Sequence, residues 1–195
     1  QDVEELAQTI CRSWFIDFEP FQDGEFVESE LGPIPKGWEV VRLANLVFIS
    51  TKSIKPNDAK DVTFEHYSIP AFDSGKYPVF ELGQNIKSNK YLVDKRSILV
   101  SKLNPVTKRV WMPFCFTQHA ICSTEFINYQ PMDDNMYYFV YGILYSDDFS
   151  RYLQSNATGS TNSRQRVTPN RTLNFKVAIP NDYKIIEEYC NLVKG

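Results

Sequence analysis

From Trp38 onward the chain alternates short runs of β-branched and aromatic residues with clusters of Asn, Pro and Gly. WEVVRLANLVFIS, YLVDKRSILVSKL and KRVWMPFCFTQHAIC are rich in Val, Ile, Phe, Tyr and Trp and read as strands. Helical periodicity enters around and after them. Val3, Leu6, Ile10 and Trp14, with Cys11 and Phe18 beside them, predict an amphipathic helix over residues 2–18. Met136, Phe139, Val140, Ile143 and Leu144 predict a second helix behind Asp133 and Asp134, which can cap it. Phe149, Tyr152 and Leu153 predict a third behind Asp147 and Asp148. The short apolar strand LNFKVAIP follows, and Ile185, Tyr189, Leu192 and Val193 then predict a last helix behind Asn181 and Asp182. Strands and helices segregated in this way predict an α+β fold, a twisted, hairpin-containing sheet with a few helices.

With 195 residues, 43% of them hydrophobic, the chain can bury one good core and leave an appendage. Residues 1–23 read as the end of a helix. Residues 24–37 are acidic, turn-rich and closed by two prolines, which suits a linker; 38–181 form the main domain and 182–195 the start of a further helix. The opening on Gln1 reads as a fragment. No run of 18 apolar residues predicts a membrane span, and the first residues lack the basic and apolar regions of a secretory signal. Cys11, Cys115, Cys122 and Cys190 form no CxxC pair, which points to a reduced, cytoplasmic protein. Cys115, His119 and Cys122 are the nearest approach to a metal signature. If FCFTQHAICS is a strand, Cys115 and His119 share one face and Cys122 the other, so neither a metal nor another cofactor is expected.

The net charge of −3 hides a division along the chain. Residues 1–35 carry nine acids and one base, net −8, whereas residues 36–195 carry fifteen acids and twenty bases, net +5. Residues 95–124 hold Lys95, Arg96, Lys102, Lys108 and Arg109 with no acid. Residues 149–181 hold Arg151, Arg164, Arg166, Arg171 and Lys176, again with none. Acid-free basic windows suit a polyanion-binding face, because a carboxylate near phosphates costs Coulomb energy.

Each window contains a candidate site. In LNPVTKR, Asn104 and Pro105 start a turn that would gather Lys102, Asn104, Lys108 and Arg109 at a hairpin tip. In ATGSTNSRQRVTP, Gly159 among Ser160, Thr161, Asn162 and Ser163 would let backbone approach a ligand and offer hydroxyl and N–H groups to phosphate oxygens. Arg164 and Arg166 can fork onto guanine edges and Gln165 onto adenine. If SRQRV is extended, the two arginines lie on one face and Gln165 on the other.

Catalytic signatures are missing. Gly32 and Gly37 have phosphate-loop spacing, yet Trp38 and Glu39 stand where Lys and Ser or Thr are needed. Asn104-Pro105 is followed by Val106, not by the Pro and aromatic residue of an adenine methylation motif. Asp58 and Lys60 sit in a turn, PNDAKD, and His66 and His119 have no nucleophile that the sequence can place beside them.

Taken in order, GPIPKGWEVVRL, SILVSKLNPVTKRVW, CSTEF, ATGSTNSRQRVTP and LNFKVAIP resemble the target recognition domain of a type I restriction-modification specificity subunit. The likeness spans nearly the whole chain, and EELAQTICRSWFIDFEPF is similar to the end of that family's spacer helix. The resemblance implies a non-catalytic DNA-reading subunit, each of whose recognition domains reads one half of a split site in double-stranded DNA. Its helices would act as a ruler and dock modification subunits, which methylate adenine with S-adenosylmethionine, and through them restriction subunits. Two other readings remain: the recognition region of a fused restriction-methyltransferase enzyme, and a carbohydrate-binding module, which eleven tyrosines and three tryptophans on β-rich elements would suit.

Overall fold

The computed structural model describes residues 3–161 and 164–195. They form two compact units, and the α+β class expected from the sequence is what is seen.

The first unit comprises Gln1–Val47, Pro131–Tyr152 and Asn170–Gly195. Its helices Val3–Cys11, Tyr137–Tyr145 and Lys184–Lys194 pack on one another. The first helix does not bury the stripe of large residues that its periodicity suggests. It buries Ala7 and Cys11, continued by Phe15 in the wider turn Arg12–Ile16, while Val3 is exposed. A close helix approach explains the shift, since a Cβ on Gly142 would lie 2.4 Å from Cys11 Sγ. Only small side chains fit there at normal packing density, so Leu6 and Ile10 are left on the flanks, half-buried. Phe15 then fills the junction, 4.7 Å from the Phe139 ring and 5.2 Å from that of Tyr189, whose hydroxyl donates to the Ala7 carbonyl at 2.7 Å. The last helix turns Tyr189 and Val193 inward as expected, joined by Ile186 and Cys190, while Ile185 is half-buried and Leu192 lies outside.

In the same unit Trp38–Arg42 pairs antiparallel with Lys176–Pro180, Trp38 opposite Pro180 and Arg42 opposite Lys176. Residues 24–37 contain a small hairpin, Phe26–Ser29 against Gly32–Pro35. Gly32 turns it at φ +87°, where a side chain would be strained, and the Lys176 ammonium is bound to the Glu30 carboxylate. Trp38 is boxed by the rings of Phe15, Phe18 and Phe21.

The second unit comprises Phe48–Gln130 and Leu153–Pro169. Five strands form a mixed sheet in the order Ser53–Ile54, Lys90–Leu92, Ala120–Ser123, Thr63–Tyr67, Val79–Leu82. The pair Ala120–Ser123 and Thr63–Tyr67 is parallel and its other pairs are antiparallel. A four-stranded sheet runs Val110–Trp111, Ile98–Ser101, Phe126–Pro131, Val47–Ile49. Trp111 is fully buried, with Tyr67, Phe72 and Phe126 around its ring at centroid distances of 4.7, 5.6 and 6.2 Å.

FCFTQHAICS is not one strand. Only its end, from Ala120, joins the sheet, and Cys115 takes a left-handed φ of +52°. The expected alternation therefore does not apply. Cys115 and Cys122 share one apolar cluster while His119 is exposed. Burial pushes the Cys115 thiol up to about 12, and the Cys122 thiol is raised by the same cause.

Candidate nucleic-acid interface

Both basic candidate segments lie in the second unit, and backbone hydrogen bonds join them. Ile98–Ser101 and Val110–Trp111 are the arms of the first hairpin, Val100 opposite Val110. Its turn is the expected one: the Asn104 carbonyl accepts from Thr107 N–H at 3.0 Å, with Pro105 setting the first corner. Asn104 itself has φ +48°, a conformation that asparagine tolerates better than most residues.

Extension of the strand past Ser101 brings in the second segment. Leu103 bridges antiparallel to Arg166, Asn104 N–H donates to the Gln165 carbonyl at 2.9 Å, and Val167 N–H donates to the Lys102 carbonyl at 3.0 Å. Arg166–Val167 also pairs with Ala157–Thr158 on its other side. The result is a narrow three-ply ribbon. Val167 points into the core, and Thr158, Ser160, Thr161, Arg164 and Arg166 lie outside. Gln165, Lys102, Asn104 and Lys108 are half-buried along it. Asn162 and Ser163 fall outside the described residues.

Gly159 is needed for a reason other than ligand approach. A Cβ there would stand 2.7 Å from the Arg164 carbonyl oxygen and 2.9 Å from Gln165 Cα, so the chain's own return strand occupies the space. Nor is SRQRV extended throughout. Arg164 N–H donates to the Thr161 carbonyl at 3.0 Å in a turn, and the strand begins only at Arg166, so alternation does not set the direction of Arg164.

The fold pairs Arg109 and Arg166, two of the five candidate cations, with carboxylates from outside the acid-free windows. Arg109 forks onto Asp73, Nε to Oδ1 at 2.7 Å and Nη2 to Oδ2 at 3.0 Å, and its side chain is only 12% exposed. That guanidinium holds Asp73 below the usual carboxylate range. Arg109 Nη1 is buried and has no partner among the described residues. Arg166 forks onto Glu125, Nε to Oε2 at 3.1 Å and Nη2 to Oε1 at 3.0 Å, but this pair is solvent-facing. Among the described residues Lys102 and Arg164 have no acidic partner within 4 Å.

Comparison with known proteins gives a consistent answer. No family profile matches the chain. A 70-residue stretch is 43% identical to the specificity subunit of the type I restriction enzyme MjaIX of Methanocaldococcus jannaschii, covering 35% of this chain and 16% of that protein. The HsdS subunit from Thermoanaerobacter tengcongensis superposes with a TM-score of 0.62 and 20% identity, over 86% of this chain and 43% of that one. A chain solved in work on complex assembly and conformational transition of a type I restriction-modification system gives 0.62 and 23%, over 83% and 41%.

The chain resembles a type I specificity subunit. It spans less than half the length of each of these relatives. In this specificity-subunit-like chain, sequence reasoning located the hairpin turn and the ribbon segment but missed the acids Asp73 and Glu125. Glu125 stood in plain view in CSTEF, one residue past an acid-free window, yet nothing local linked it to Arg166 forty-one positions later.

Proposed function

We propose that this chain binds double-stranded DNA through the three-ply ribbon and reads one half of a bipartite site, as the specificity component of a type I restriction-modification assembly. The observation that carries the reading is the joining of the acid-free stretch at Lys102–Asn104 to the one at Gln165–Val167, more than sixty positions later, by direct backbone bonds. Lys102 and Arg164 would take phosphate or base edges, and Ser160, Thr161, Asn162 and Ser163 would offer phosphate-positioning donors. Gln165, Asn104 and Lys108 flank them. Arg109 keeps the hairpin in place through Asp73, and Arg166 would have to exchange Glu125 for DNA.

The chain itself supplies specificity and no bond-making chemistry on this reading. Modification subunits, and restriction subunits through them, would be its partners in the cytoplasm. Among the described residues no helix is long and apolar enough to cross a membrane.

Selection from a pool of random duplexes, followed by titration of the retained sequence in a salt series, tests the proposal. Expected are a short enriched motif and affinity that falls steeply with salt. Arg164→Ala should weaken binding by about 1 to 3 kcal/mol and relax one base position if it reads a base, or weaken all sequences alike if it holds a phosphate. Affinity that is flat in salt would overturn the reading.

A further inference from the structure

Glu125 lies just past the first acid-free window, and its carboxylate takes Arg166 in a fork, with Nε 3.1 Å from Oε2 and Nη2 3.0 Å from Oε1. Main-chain bonds tie both residues to Lys102. The Lys102 N–H donates to the Glu125 carbonyl at 2.9 Å, and the Lys102 carbonyl accepts at 3.0 Å from Val167, the residue after Arg166. Glu125 N–H is held in turn by the Ser123 hydroxyl at 3.2 Å. Neither residue can be drawn far from the ribbon without breaking the bonds that build it.

The fork itself does little to hold the fold. The Arg166 and Glu125 side chains are 49% and 30% exposed, whereas Arg109, in its comparable fork onto Asp73, is 12% exposed. Solvent-facing ion pairs contribute little to stability. On a face that meets DNA phosphates the same carboxylate is unfavourable, because it repels them. A group that neither steadies the fold nor attracts the ligand's backbone has another use open to it, the reading of a base.

The chemistry of the exchange decides which base pair fits. Whatever takes the Arg166 fork must offer two acceptors side by side. A phosphate has them, and so does the guanine edge, with O6 and N7. The carboxylate that has given up Arg166 stays beside the newcomer, because its main chain is tied down. Next to a phosphate it would be a like charge. Next to guanine it meets the N4 amino group of the paired cytosine, a donor that Glu accepts from. Neither base of an A·T pair presents two acceptors in the major groove, so the fork would be left half-filled. Lys102 and Arg164, which among the described residues have no acid within 4 Å, draw phosphates more strongly.

Resting on the DNA reading above, we infer that Arg166 and Glu125 together read one G·C pair of the half-site, Arg166 donating to guanine O6 and N7 and Glu125 accepting from cytosine N4. The test uses the full chain and runs the selection from random duplexes with the wild type, Arg166→Ala and Glu125→Gln. The wild-type motif should contain a required G·C pair. Both variants should lose the preference at that pair and at no other, with Arg166→Ala binding the wild-type motif about 5- to 150-fold more weakly. Replacing that guanine with 7-deazaguanine, which lacks N7, should weaken binding by the wild-type chain several-fold and leave Arg166→Ala indifferent. The pair faces solvent, so unchanged urea midpoints are expected, and the 7-deazaguanine result with the wild-type chain decides the matter if either variant does not fold. A wild-type chain indifferent to 7-deazaguanine, or a motif without a required G·C pair, overturns the inference. So does Arg166→Ala that weakens all sequences alike and lowers the salt slope by about one, which marks a phosphate contact. Glu125→Gln that tightens every sequence alike and keeps the motif would show a carboxylate that only repels phosphates, and overturns it too. Absence of salt-sensitive binding by the wild-type chain overturns the DNA reading itself, and this inference with it.

Discussion

The loop around Gly159 and the loop around Phe116 belong to the same unit and are held by opposite means. The first is fixed by backbone bonds to Lys102 and Asn104 and by a glycine that lets its own return strand pass. The second is fixed by one buried carboxylate, Glu65, with acceptor capacity filled by donors from its own strand and the loop. The backbone-held loop leaves its polar side chains for the outside, and the carboxylate-held loop leaves rings. A polar surface can thus be anchored by the main chain, whereas an apolar one here takes an internal ion.

The largest expected effect would break the second anchor. Glu65→Ala leaves buried donors without an acceptor and should destabilise the unit by about 3 to 5 kcal/mol in urea titration. A loss below about 1 kcal/mol would mean that water replaces the carboxylate. Next comes the hairpin clamp. Arg109→Ala should cost roughly 1 to 2 kcal/mol, at the lower end for a charged hydrogen bond because Asp73 faces solvent. Arg166→Ala should leave the urea midpoint nearly unchanged, since its pair with Glu125 is solvent-facing, and equal effects from the two arginines would erase the distinction between them.

Gly159→Ala sharpens the comparison from the other side. Its Cβ would press on the Arg164 carbonyl, and the resulting shift should cost about 1 kcal/mol or somewhat more while weakening DNA binding without touching a cation. The smallest effects are pH-dependent. Burial lowers the pKa of His66, so its contribution is whole above the unfolded value of about 6.5 and is lost as pH falls through the depressed folded value. The Asp73 value is also depressed, by Arg109, so its contribution is whole above about pH 4 and is lost below, as pH falls through the folded value. Urea midpoints at pH 7.5, 5 and 3 should show both steps, and Arg109→Ala should remove only the acidic one.

The β character from Trp38 onward, the turn at Asn104 and Pro105, and the helix after Asp133 were legible because each depends on residues within a few positions, although the strands themselves are shorter than the runs. What escaped depended on distance. The helix at residues 3–11 shows an apolar stripe to any periodicity argument, yet Gly142, far along the chain, selects Ala7 and Cys11 for the inside. The acid-free windows were real as sequence but not as surface, because Asp73 arrives from the end of the short helix Ile69–Asp73 and Glu125 from a turn. The aromatic loop looked like the middle of a strand. Its true course is set by Glu65, fifty residues earlier, and a glutamate in a run of strand formers carries no local sign that it will accept hydrogen bonds from a distant loop.

The pairing of Trp38–Arg42 with Lys176–Pro180 has a consequence for synthesis. At about 5 to 20 residues per second, a ribosome would complete the later strand on the order of ten seconds after the earlier one. Throughout that interval the tryptophan strand has no ladder to join, whereas the parallel sheet pair at residues 63–67 and 120–123 can already form. The two units would then mature in the reverse of their order in the chain, and the interval in which Trp38 waits is when a chaperone or a misplaced strand has its opportunity.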